Sequence, residues 1–134
     1  MQDTEQPSER LVMQRLRNRV IEALETFGDG AAGVRQVGTV EYVEQFFDII
    51  DERSPWNWRR WSCFTADEVI ALDEVHALLV ATCDATPGIV DDDAFIETGW
   101  PVRIQPPAAR ALKLLRDRGR FSEDHEEDEP SVRR

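Results

Sequence analysis

The sequence predicts an all-α protein, a small single-domain helical bundle of four main helices with short turns and one extended segment near 100–105. Three observations lead there. The stretch from Thr39 to Glu52, turned at about 100° per residue, puts Val40, Val43, Phe46, Phe47 and Ile50 on one side and Glu41, Glu44, Asp48, Asp51 and Glu52 on the other, a split with no strand equivalent. Thr65-Ala66-Asp67-Glu68 has the form of a capping box just before a second amphipathic run. At 134 residues and 41% hydrophobic, the chain can bury one core and is too short for two of ordinary size.

Residues 1–7 read as a polar lead-in to a helical domain over 8–121. Ser8 is an N-cap for a helix to Phe27, with Val12, Met13, Leu16, Val20, Ala23, Leu24 and Phe27 facing inward and Arg10, Arg15, Arg17 and Arg19 off that face. Gly28 fits a left-handed cap. The string Gly28-Asp29-Gly30-Ala31-Ala32-Gly33 matches G-x-G-x-x-G, but a dinucleotide fingerprint needs a strand before it, and here a helix precedes it. Val34 to Val37 reads as either a short extended piece or a helical turn.

Thr39 is the expected N-cap of the second main helix, which should end near Arg53 because Pro55 restricts Ser54. Ser54 and Pro55 then suit the start of one helical turn carrying Trp56, Trp58, Arg59, Arg60 and Trp61. The third helix, 65 to 85, directs Val69, Leu72, Leu79, Val80 and Cys83 inward, with Val75 and Leu78 widening the face, and stops at Thr86-Pro87-Gly88. A short acid-led helix over 91–98 ends at Gly99. Trp100 to Gln105, boxed in by prolines, reads as extended with Trp100, Val102 and Ile104 alternating inward. The last helix, Ala108 to Arg118, buries Ala108, Ala111, Leu112 and Leu115. Residues 122–134 form an acidic C-terminal tail without apolar periodicity, the composition of a disordered segment.

The net charge of -11 and pI near 4.6 speak against binding duplex nucleic acid, which is held mainly through Lys and Arg, and favour a basic partner. No run approaches the ~20 apolar residues that cross a bilayer, and the start lacks a signal-peptide pattern, so no membrane association and a cytoplasmic location are expected. Lys113 is the single lysine among 16 basic residues, a skew toward arginine that fits a GC-rich bacterial genome. Cys63 and Cys83 fall about 27 Å apart if a helix separates them. That is far beyond the ~7 Å reach of a disulfide, so two free thiols are expected.

The acidic stripe Glu41, Glu44, Asp48 and Asp51 invites a metal, but it lies opposite the apolar face where a bundle metal site would sit. Asp73 and His76 echo half of a di-iron Glu-x-x-His pair, yet only His125 remains as a second histidine. Asp91 and Asp93 do not extend to a calcium loop, because Phe95 takes the next ligand position. No metal and no cofactor is expected.

His76 can serve as a base only if another helix brings it a partner, since Cys83 is about 10 Å away along the same helix. With Tyr42 and Trp100 it defines the pocket of an alternative small-molecule-binding protein or enzyme. The cluster Trp56, Trp58, Arg59, Arg60 and Trp61 combines the residue types enriched at binding hot spots, beside the simpler reading that its indoles plug the bundle. A stacking platform for single-stranded nucleic acid is a third reading, opposed by the net charge. The residues favour a non-catalytic, acidic protein-protein interaction module whose partner is another protein or a second copy of itself in a homodimer.

Overall fold

A computed structural model describes residues 7–50 and 57–132. Ser8 accepts a hydrogen bond from the Leu11 amide at 3.1 Å and opens α1, Glu9–Gly28. Its second half meets the core as expected, through Val20, Ala23, Leu24 and Phe27. Its first half does not. Gln14, Arg17 and Asn18 are buried there, whereas Val12, Met13 and Leu16 are only half-buried, so the expectation that Arg17 lies off the core face is corrected.

The cause is the chain's C-terminal segment, which packs along α1. The Asn18 side-chain amide donates to the Phe121 carbonyl at 3.0 Å and its oxygen accepts the Phe121 amide at 3.2 Å. The Gln14 amide group donates to the carbonyls of Ser122 and His125, and the Gln14 oxygen accepts the Glu127 amide at 2.7 Å. Side chains of a helix thereby satisfy the backbone of an acidic segment that lacks a ladder of its own. A bridge between Arg120 and Val132 closes the loop, and Phe121 is buried. Through residue 132 the tail is folded back on the bundle, contrary to the expectation of disorder.

The glycine string makes a sharp corner. Gly28 ends α1 with ordinary φ, so the left-handed cap expected there is absent; Gly30 carries the positive φ, 60°, and starts α2, Ala31–Val37. Gly33 lies so close to α1 that a Cβ would meet the Thr26 carbonyl oxygen at 2.0 Å. The positive φ of Gly30 and the close approach at Gly33 account for those two glycines, while neither φ nor space requires a glycine at 28.

α3 spans Thr39–Ile49, with Gly38 rather than Thr39 as its N-cap. Thr39 is instead the first helical residue, and the Asp92 carboxylate accepts both its amide (2.9 Å) and its hydroxyl (2.7 Å), filling from a distance the role of a local cap. The inward residues are Tyr42, Phe46 and Ile50; Val40 is 51% exposed, which corrects its placement on the buried face. The rotation follows from Tyr42, whose ring fits between Phe27 and Phe95. α3 ends at Ile49, with Ile50 extended as its C-cap, which corrects the expected end near Arg53; residues 51–56, including Ser54, Pro55 and Trp56, lie outside the described residues.

A 3-10 turn, Trp58–Arg60, precedes α4, Ala66–Ala85. The capping box is present: Thr65 Oγ1 accepts the Glu68 amide at 3.1 Å and Glu68 Oε1 accepts the Thr65 amide at 2.9 Å. Leu72, Val75 and Leu79 face the core with Glu68 and Thr82, while Val80 and Cys83, both expected inside, are exposed. α5, Asp92–Glu97, is capped by Asp91.

The segment 100–105 is helical, not extended. α6 runs from Trp100 to Arg118 with Pro101 in its first turn and Pro106 and Pro107 inside it. Pro101 costs nothing there, since the first amides of a helix have no intrahelical acceptor. The two inner prolines are carried because Ile104, Pro107, Ala108, Ala111 and Leu115 form one continuous buried stripe against α1 and α4. The described residues thus form an all-α assembly of six helices, of which α1, α3, α4 and α6 are the long ones, with no strand beyond the single bridge.

Candidate functional site

The tryptophan and arginine turn faces largely inward. Asn57 Oδ1 accepts the Arg59 amide and starts the 3-10 turn, which drives Trp58 into the core and lays Trp61 flat on Phe64, with ring centroids 5.7 Å apart. Both indoles are buried, the arrangement of the plug. Arg59 lies 4.7 Å from the Trp58 ring and pairs with Asp73 at 2.6 Å. Arg60 is exposed. Trp56 lies outside the described residues.

His76 sits among rings, 6.4 Å from Phe46, 5.8 Å from Phe47 and 6.3 Å from Trp58 between centroids. Tyr42 is fully buried against Phe27 and Phe95, its hydroxyl without a hydrogen-bond partner, and burial pushes its pKa up. Trp100 opens α6, with the Arg103 guanidinium 4.0 Å from its ring. The three residues of the alternative pocket therefore have different surroundings. Asp73 pairs with Arg59, and no group of three or more metal-ligating side chains occurs among the described residues.

The folded tail brings together a set that spacing alone did not single out. Ser122 Oγ is 3.2 Å from His125 Nδ1, and His125 Nε2 is 3.7 Å from Glu127 Oε2. This resembles a nucleophile with its base, but the same Oγ accepts the amides of Asp124 and His125, and the Ser122 amide is taken by Glu127. The geometry is that of a serine-stabilised turn, with its nearby amides already engaged and none aimed at a developing oxyanion. Neither thiol is activated. Burial pushes Cys63 up to about 12, against the pull of Arg17 and Arg10; partial burial, then Asp84 and Glu44, raise Cys83.

A different surface stands out on α3 and α4. α3 leans on α1 and α2 while α4 leans on α6, and Phe46 and Phe47 meet α4 at His76. Further along, toward the C-terminal end of α4, the two helices border a groove of about 240 Å³ lined by Val40, Val43, Cys83, Pro87, Ile89 and Val90. Val40 and Val90 are 51% and 66% exposed. Glu44 lines the same groove, and Asp84 follows Cys83 at its other edge. Among the described residues Glu41, Glu44 and Asp48 form no ion pair, whereas Arg10, Arg15, Arg17, Arg19, Arg118 and Arg120 engage the tail, its flanking segment or neighbouring helices.

No protein-family model matches this chain, and no curated protein or solved structure does either. Among the described residues no helix is long and apolar enough to cross a membrane.

Proposed function

We propose that this chain is a non-catalytic, acidic, helical module that binds another protein, in the cytoplasm of a bacterium. The observation that carries the reading is the outer side of α3, where Glu41, Glu44 and Asp48, in no ion pair among the described residues, are exposed on the same helix as Val40. Exposed carboxylates steer a cationic partner and raise its rate of encounter, while apolar area beside them supplies affinity. The same charge disfavours duplex nucleic acid.

A photoreactive residue at position 44, crosslinked in the native host and followed by reconstitution with the captured protein, tests the proposal. Saturable binding of that protein by the purified chain supports it. A chain that captures nothing, from position 44 or from control positions over the rest of its surface, and that stays monomeric in sedimentation, contradicts it.

A further inference from the structure

Resting on the interaction-module reading and narrowing it, we infer that the α3–α4 groove receives a short amphipathic helical segment of another protein, with aliphatic anchors on one face and Arg or Lys beside them. The groove has the chemistry such a segment needs. Its walls are Val40, Val43, Ile89 and Val90, and its floor includes the buried ring of Phe95. Val80, one turn before Cys83 on α4 and 40% exposed, continues the apolar strip beyond the groove. The lining comes from α3, the end of α4 and the loop 86–90 that follows it, and an apolar depression with exposed Val40 and Val90 at its rim suits the helix-in-groove mode, read by anchors at i, i+3 or i+4 and i+7.

Charge decides the occupant. Glu44 lines the groove, Asp84 and Glu44 both lie close enough to Cys83 to act on its thiol, and Glu41 is exposed one turn before Glu44 on α3; among the described residues none of the three is in an ion pair. Arg35 on the neighbouring α2 is already paired with Asp93 at 2.8 Å. A second copy of the chain, docking through this same face, would set Glu41, Glu44 and Asp84 against their own counterparts, which is unfavourable. A cationic helix finds both an apolar seat and three unsatisfied carboxylates. Rigid support comes from below: Asp92 ties α5 to the first turn of α3, so the groove wall and its floor are fixed to each other.

The full-length chain is panned against a display library of random peptides of about 16 residues, long enough for roughly four helical turns. Enriched peptides are then titrated against the chain and against Val40→Glu, Val90→Glu and Ile70→Glu, each checked for unchanged helicity. Ile70 is 69% exposed on α4 and does not line the groove, so it serves as the control. The expected result is enrichment of basic peptides with aliphatic residues at helical spacing. Their affinity should fall about tenfold or more in the Val40 and Val90 variants, the loss of one good anchor, and stay unchanged in the Ile70 variant. Peptides that are acidic or unpatterned, peptides indifferent to the two valine variants, or no enrichment at all would overturn the groove assignment. Those outcomes leave the broader reading to the crosslinking experiment. Self-association abolished by Val40→Glu would replace the cationic helix by a second copy.

Discussion

Arg17 Nη2 donates to Glu68 Oε2 at 2.7 Å, with both side chains sealed from water at 0% and 1% exposure. Glu68 is at the same time the third residue of the α4 capping box and an acceptor for Arg118 at 3.2 Å. Arg17 also donates to the Gly119 carbonyl at 2.6 Å, at the C-terminal end of α6. One carboxylate and two guanidiniums thus join α1, α4 and α6, and the ring of Phe121 lies within 5.5 Å of Arg10, Arg17 and Arg118. Desolvation pulls the pKa of Arg17 down, and the Glu68 charge opposes it.

Breaking that pair from one side should be severe. Glu68→Gln keeps a side chain able to reach the Thr65 amide but leaves Arg17 buried without its counter-charge, at a cost of about 3–5 kcal/mol. Arg17→Met in the same background should recover part of the loss, with a coupling of about 0.5–3 kcal/mol in a urea-unfolding double-mutant cycle. Simple additivity of the two substitutions would show that the pair does not act as a unit.

Two glycines five residues apart, Gly28 and Gly33, should respond with opposite sign. Gly28 has ordinary φ and open space at its Cβ position, so Gly28→Ala should stabilise by about 0.5–1 kcal/mol. Gly33→Ala drives a methyl group into the Thr26 carbonyl and should destabilise by about 1–3 kcal/mol or more. Thermal unfolding of the two variants checks both signs at once.

How much of this was legible in the sequence depends on where the determinants are local. Ser8 and the Thr65–Glu68 box are read by hydrogen bonds within three residues, and both appear as expected. The period of Leu72, Val75 and Leu79 likewise fixed the inward side of α4. What failed was decided by partners far along the chain. Arg17 is buried because Glu68 and Gly119 come to it, Thr39 loses its capping role because Asp92 arrives from α5, and the 100–105 stretch is helical because its stripe continues across two prolines. The groove was hidden for the same reason: Val40, Val80 and Cys83 carry the signature of core residues, and only the docking of α3 on α1 and α2, and of α4 on α6, turns them outward.

Acid should loosen the molecule through three carboxylates. Hydrogen bonds from Thr39 hold Asp92 below its usual range; Glu127 is lowered by the Ser131 hydroxyl and the Ser122 amide; and at Glu123, burial pushes upward but is outweighed by Asn18 and Arg19. A depressed folded pKa means stability that is full above the unfolded value, about 4, and is lost as pH falls through the folded value. Amide exchange in residues 121–129 should therefore accelerate below pH ~4. Asp92→Asn should weaken only the α3–α5 share of that acid response.

The thiols give a chemical test of the rotated α4 face. Cys83 is exposed and should be modified by a maleimide in the folded protein, whereas Cys63, buried with its sulfur 3.4 Å from the Met13 carbonyl oxygen, should react only on unfolding. Mass spectrometry after partial labelling distinguishes the sites. Equal reactivity of the two would contradict the burial of Cys63.

The most direct test of the interaction surface is the affinity of the reconstituted partner for Glu41→Gln/Glu44→Gln/Asp48→Asn, measured beside the unmodified chain across a range of salt. The unmodified chain should bind more weakly as salt rises, and the neutralised variant, equally helical, should bind about tenfold or more weakly at low salt with a flatter salt dependence. Equal affinity and an equal salt slope in the two proteins would contradict the assignment of α3 as the partner-facing surface.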